Sequence, residues 1–238
     1  MHCTGFAFEI SSLLKFLLRF TKGKGILLFM ITQHAKEPAT EAKSGDVLIP
    51  EDAHRSSLYA LLSSLLAKAP SQEILSNLSA LSGGDNEIGV SIETLTLLTR
   101  KVGIRTIERE YQNLFIGVGR GELLPYGSFY MTGFLNEKPL ANLRDDMKRI
   151  GIARSEGNSD PEDHIASLCE MMSGIISNQF YTQLSMKEQR DFFSTHIGPW
   201  ARHFFNDLEG AENSVFYAPV GRLGSAFMEV EVEAFRFL

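Results

Sequence analysis

Cysteine is nearly absent from this chain: only Cys3 and Cys169 occur, far apart and in unlike settings. Neither a disulfide framework nor a structural zinc site can be built from them, and a reducing compartment fits such usage. An excess of basic charge is also missing. The formal net charge of −6 argues against nucleic acid as a partner, because phosphate recognition needs a basic face to replace counterions. The acids are spread along the chain, as solvated helix surface requires, and a basic partner suits them better.

No apolar run is long enough to span a bilayer. The Leu- and Phe-rich stretch Phe6–Phe20 is interrupted by Glu9, Lys15 and Arg19, and Gly23-Lys24-Gly25 precedes Ile26-Leu27-Leu28-Phe29. A signal peptide would carry its charge ahead of the apolar run and small residues after it. Stable membrane insertion is therefore not expected. Two readings of the segment stay open: a basic amphipathic helix resting on a membrane surface, or a chain whose start is Met30. Gln33–Gly45 is polar, contains Pro38 and has no period. Residues 1–49 are thus read as an N-terminal extension, disordered or not native, and 50–238 as one helical domain.

Within that domain, apolar residues recur at three and four. Leu58, Leu61, Leu62, Leu65 and Leu66 form one stripe that Pro70 closes, and Ser71 is placed to cap the next helix. The same spacing links Ile104, Ile107, Tyr111, Leu114 and Phe115, then Ile165, Leu168, Cys169, Met172, Ile175 and Ile176. Phe193, Ile197, Trp200, Phe204 and Leu208 continue it, with Pro199 kinking that helix or beginning a new one. A last stripe comprises Phe216, Val220, Leu223, Phe227, Val230 and Ala234. No alternating strand pattern competes and no internal repeat is visible. With 44% hydrophobic residues, this predicts an all-α, single-domain bundle of about eight to ten helices, with one long loop over 117–136. That loop is too apolar for disorder, and long ordered loops in compact domains carry function.

Each candidate site has a plain structural reading beside it. Gly117-Val118-Gly119-Arg120-Gly121 resembles a phosphate loop, yet lacks the preceding strand and the Gly-Lys-Ser/Thr ending, so its glycines are read as ending the preceding helix. Ser128 lies in Pro125-Tyr126-Gly127-Ser128-Phe129-Tyr130 without a nucleophile elbow or a base. The segment is either core packing or a groove whose tyrosines bury apolar peptide side chains. Ser159-Asp160-Pro161-Glu162-Asp163-His164 has the form of a capped helix start. With Glu156 it also gathers acids able to receive a guanidinium through charge-assisted hydrogen bonds. His196 and His203 lack a carboxylate or cysteine at metal-ligand spacing and read as structural, as does Trp200 at a stripe position.

Over residues 50–238 the chain resembles the TorD/DmsD family of molybdoenzyme-specific chaperones. The resemblance is carried, in order, by Glu110-Tyr111-x-x-Leu114-Phe115 running into Gly117-x-Gly119, by Pro125-Tyr126-x-Ser128-x-Tyr130, by Asp160-Pro161-Glu162-Asp163-His164-Ile165, and by His196-x-x-Pro199-Trp200. It implies a cytoplasmic, non-enzymatic protein without a cofactor of its own. Its partners would be the apo form of a molybdopterin oxidoreductase and that enzyme's twin-arginine signal peptide, held until the cofactor is inserted. The peptide-binding residues so implied are Pro125, Tyr126, Ser128, Tyr130, Asp163 and His164, to which the acidic cluster adds Asp160 and Glu162. The family usually has Glu where Asp160 stands and often a bulkier or acidic residue where Gly127 stands. The stretches 119–126 and 133–140 look most like members associated with formate dehydrogenases, beside those serving trimethylamine N-oxide and dimethyl sulfoxide reductases. Two other classes compete: an enzyme using Asp163 and His164 as an acid–base pair, and a helical scaffold that forms a homo-oligomer through the aromatic loop.

Overall fold

A computed structural model describes residues 49–154, 160–180 and 182–237. Cys3, the Phe6–Phe20 segment, Met30, the polar lead-in Gln33–Gly45, Glu156 and Ser159 lie outside the described residues. Among these residues ten α-helices follow in order: α1 Pro50–Leu66, α2 Gln72–Leu78, α3 Glu87–Lys101, α4 Ile104–Tyr111, α5 Gly127–Thr132, α6 Lys138–Ile150, α7 Ile165–Ile176, α8 Met186–His196, α9 Ala201–Gly210 and α10 Ala218–Arg236. Among the described residues the single β feature is an isolated bridge between Tyr126 and His164. The molecule is all-α, as the periodicity predicts.

Local chemistry sets the helix ends. Pro50 opens α1 with Glu51 and Asp52 in its first turn, where missing backbone partners and the macrodipole favour both residue types. Ser71 accepts a hydrogen bond from Ile74 N and so caps α2, and Ser185 with Glu188 forms a full capping box on α8. Pro199 lies between α8 and α9, so the stripe containing Trp200 is divided into two helices rather than bent.

Helix α7 occupies the centre: of its twelve residues only Glu170 is not buried. It packs on α1, whose five leucines are all buried. Ser56 and Ser173 let the two backbones approach, each hydroxyl reaching the other residue's carbonyl at 3.0 and 2.9 Å. Helix α10 lies against α9, α3 and α1. Its backbone comes close to that of α9 at Gly221, where a Cβ would stand 2.5 Å from Glu209 N.

The last stripe shifts register near the end of α10. Val230 and Ala234 face solvent, while Glu231 and Phe235 are buried. The cause is Arg55 of α1. Its Nε and Nη2 donate to the two carboxylate oxygens of Glu231 at 2.7 and 2.9 Å, and Tyr59 Oη donates to the same group at 3.0 Å. A fully buried carboxylate is tolerable only with this degree of pairing.

A second carboxylate orders the start of α10. Both oxygens of buried Glu110 accept backbone hydrogen bonds, from Val215, Phe216 and Tyr217 at 2.8 to 3.1 Å. Tyr111 and Tyr217 in turn donate their hydroxyls to the last carbonyls of α1, Leu66 O and Leu65 O. The Glu110-Tyr111 pair therefore joins three helix ends that would otherwise leave buried polar groups unsatisfied.

The Arg55–Glu231 pair yields a measurable expectation. Glu231→Ala should lower stability by about 3 kcal/mol in urea unfolding, because it takes the two-oxygen partner from a largely buried guanidinium and leaves it only Asp52 and Gln189. Combining it with Arg55→Met should recover most of that loss, and equal instability of the single and double variants would refute the account.

Candidate functional site

The motifs 125–130 and 160–164 are separated in sequence and meet in space. Pro125 O accepts from Ile165 N at 2.8 Å, and Gly127 N donates to Asp163 O at 2.9 Å. These two bonds frame the antiparallel bridge of Tyr126 with His164, whose rings meet edge to face at 5.1 Å. Tyr126 ends the extended piece, and α5 begins at the next residue.

The expected loop over 117–136 is thus shorter than its sequence suggests. Gly117 adopts φ 64° and closes a π-turn, Gln112–Ile116, by donating to Gln112 O. A side chain there would collide with Arg120 O. The chain then folds back, so that Glu122 N and Leu123 N bond to Asn113 O and Leu114 O. The Gly117 amide is thus spent on ending the preceding helical segment, as the reading of its glycine as a terminator expects.

The helix start predicted at Ser159 or Asp160 lies further on. The N-cap of α7 is His164, whose Nδ1 accepts from Ala166 N at 3.1 Å. Asp160, Glu162 and Asp163 precede the cap and belong to the turn leading into it. Pro161 and the acids resemble a first turn in composition, but the backbone at 163–165 is already committed to pairing with 125–127.

Asp163 is 3% exposed. Its Oδ2 accepts from Ser128 N at 2.6 Å, anchoring the first turn of α5, whereas Oδ1 is buried without a hydrogen-bond partner. Glu162, also buried, is held at Oε2 by Nε and Nη2 of Arg144 at 3.0 and 2.8 Å. Arg154 Nη1 stands 3.8 Å from Oε1, and its Nη2 donates to Asp160 O. Asp160 itself is exposed and near Tyr111 and Tyr126. Burial, and secondarily the charge of Asp160, push both phenols up, Tyr126 to about 12. The two tyrosines remain neutral hydrogen-bonding groups at physiological pH.

The other expected site residues form the frame. Ser128 is fully buried, its hydroxyl accepting from Asn136 N. Tyr130 donates to Asp207 Oδ2 at 2.8 Å and leans on Trp200 and Phe204. Gly127 lies flat on the indole of Trp200, where a Cβ would come within 3.0 Å of Nε1. Close packing on that ring accounts for glycine at this position. Trp200 donates to His196 O, and His196 Nε2 pairs with Asp146 across α8 and α6. The His196-x-x-Pro199-Trp200 motif thus supports the floor beneath α5.

Arg144, Arg154 and Asp207 escape sequence reasoning. Their partners lie at other places in the chain, and α6, with Arg144, Asp145, Asp146, Lys148 and Arg149, reads as ordinary solvated surface. Among the described residues no group of His, Cys, Asp or Glu is arranged to hold a metal. No helix among them is long and apolar enough to cross a membrane. The acid–base pairing of Asp163 with His164 has no geometric support. Asp163 Oδ2 and His164 Nδ1 each accept from a backbone amide.

His164 can cap α7 only while Nδ1 keeps its lone pair, which is the neutral Nε2–H tautomer. Burial lowers its pKa to about 4, from 6.5. The unfolded chain binds this proton near pH 6.5 and the folded chain only near 4, so the stabilisation is complete above 6.5 and is lost as the pH falls toward 4. At about 1.4 kcal/mol per pH unit, urea unfolding at pH 5 should give a stability about 2 kcal/mol below that at pH 7.5 from this residue alone. His196, lowered chiefly by burial, adds in the same direction. The His164→Asn variant, which keeps a capping acceptor but cannot titrate, should show a correspondingly smaller drop; an identical drop would contradict the capping role.

Comparison with known proteins places these features in a family. The nitrate reductase delta subunit family matches residues 82–206, just over half of the chain. The chaperone protein TorD of Vibrio atlanticus is 28% identical over 200 residues, covering 75% of this chain and 93% of the relative. TorD of Vibrio cholerae strain M66-2 is 27% identical over 195 residues, covering 74% and 89%. The Haemophilus influenzae protein named "Probable Tat proofreading chaperone DmsD" is 32% identical over 142 residues, covering 58% and 67%. The family match runs through the paired motifs 125–130 and 160–164, and the chain belongs to the TorD/DmsD family of molybdoenzyme-specific chaperones, proteins that are not enzymes.

Proposed function

We propose that this protein is a cytoplasmic chaperone that binds the twin-arginine signal peptide and apo form of a molybdopterin oxidoreductase and assists cofactor insertion before export. The client is of the formate dehydrogenase or trimethylamine N-oxide/dimethyl sulfoxide reductase type, with formate dehydrogenase preferred on the stretches 119–126 and 133–140. The observation that carries the reading is Asp163 Oδ1, a buried carboxylate oxygen without a partner at the junction of the two motifs. A buried, unsatisfied ionised oxygen is costly, and a donor brought by a ligand offsets that cost. A guanidinium supplies such a donor in charge-assisted form.

In this proposal Asp163, Asp160 and the Tyr126 hydroxyl contact the peptide. Pro125, Ser128, Tyr130 and His164 hold those groups in place through the bridge, the turn of α5 and the cap of α7. Exposed Met131 in the last turn of α5, with Phe134 and Leu135 after it, supplies apolar surface beside them. Residues 50–238 constitute the chaperone domain, with 1–49 an extension to it.

Calorimetric titration with the signal peptide of a formate dehydrogenase large subunit, beside a copy with both arginines replaced by glutamine, tests the reading. The first should bind in the micromolar range or tighter and weaken with salt, and the second should not. Asp163→Asn can still accept from Ser128 N through its amide oxygen while placing an amide donor at the Oδ1 position. It should weaken binding by roughly ten- to a hundredfold, the worth of one charge-assisted hydrogen bond. Binding indifferent to both the arginines and Asp163→Asn would leave the proposal without a receptor.

A further inference from the structure

We infer that Arg144 is a specificity-determining residue of this site: it occupies the Glu162 carboxylate until a guanidinium of the ligand displaces it. The inference rests on the peptide-binding reading above and concerns how that site is regulated. Two arginines of the chain itself, Arg144 and Arg154, already converge on Glu162, next in sequence to Asp163. Arg144 places two donors on one oxygen of the carboxylate, and Arg154 approaches the other without reaching hydrogen-bond distance.

The two members of the main pair differ in exposure. The Glu162 side chain is 8% exposed and that of Arg144 46%. The carboxylate is therefore built into the site, whereas its partner reaches it from the solvent side and can leave without opening the core. Arg144 also comes from α6, while Glu162 belongs to the turn before α7, so exchange of the partner breaks no backbone pairing.

Exchange of one guanidinium for another keeps the buried carboxylate compensated throughout, with the same fork of donors. Exchange for an ammonium does not: lysine is more strongly hydrated and offers no planar fork. A resident arginine thus sets a threshold that arginine can meet and lysine cannot. Its high local concentration as part of the same chain also disfavours a lone guanidinium. A ligand with two adjacent guanidiniums can engage Glu162 with one and the Asp163–Asp160 side with the other, so the pair succeeds where one group fails.

The test uses the full chain and three peptides, the arginine-pair signal peptide and copies with one or both arginines changed to lysine. These are titrated calorimetrically into the unaltered protein, Arg144→Ala and Arg144→Lys. Removing the competitor should tighten the arginine-pair peptide by about five- to tenfold, and narrow the gap between arginine and lysine peptides by a similar factor. Arg144→Lys, which keeps the positive charge beside Glu162 and so protects the fold, should shift both quantities in the same direction by less. Unchanged affinity and unchanged arginine preference in both variants, with binding still lost in Asp163→Asn, would overturn this inference and leave the peptide reading standing. Absence of binding by all three peptides to every form would overturn both.

Discussion

The pairing of Pro125–Gly127 with Asp163–Ile165 is the constraint on which the site depends. Two backbone hydrogen bonds are few, but they sit where α5 begins and α7 begins, so each positions a helix as well as a strand of chain. Asp163 and His164 then spend side-chain atoms on the same two helix starts, at Ser128 N and Ala166 N. Loss of the pairing would release Tyr126, Asp163 and both caps together. A recognition surface composed of short segments gains its precision from such shared constraints rather than from burial alone.

Buried carboxylates recur in this bundle, and each has a different solution. Glu110 is neutralised by three backbone amides at the start of α10, and Glu231 by a two-donor arginine and a tyrosine hydroxyl. Glu162 is paired with arginines that remain partly exposed. Asp163 has one oxygen on an amide and one without a partner. The first two are complete and structural. The last two have partly exposed partners or an unpartnered oxygen, and they are neighbours in sequence. In the proposed function this contrast in satisfaction, rather than the presence of acidic charge, is what sets recognition apart from framework.

Helical stripes were legible because apolar burial imposes a period that survives in any tertiary context. Leu58 to Leu66 and Ile165 to Ile176 are buried as their spacing requires. Glu231 was not legible, since a carboxylate on a helix reads as surface unless its partner is known, and Arg55 lies 176 positions away. The acidic turn at 160–163 was visible as a charged cluster beside a histidine. Its proline and acids imitate a helix start, so the cap at His164 was missed; the backbone pairing that decides the matter leaves no mark in local composition. Short α5 was hidden likewise, with its glycine set by the indole of Trp200.

By itself the sequence determined the fold class, the order of the main helices and the residue types available for recognition, because these follow from periodicity, capping chemistry and charge, all local properties. Tertiary structure alone decided which acids are spent and which remain. Glu162 and Asp163 are adjacent and chemically alike, yet one faces arginines from α6 and the turn after it, and the other faces the first turn of α5. Hydrogen-bond satisfaction depends on partners delivered from other elements, and only the folded chain brings them within reach.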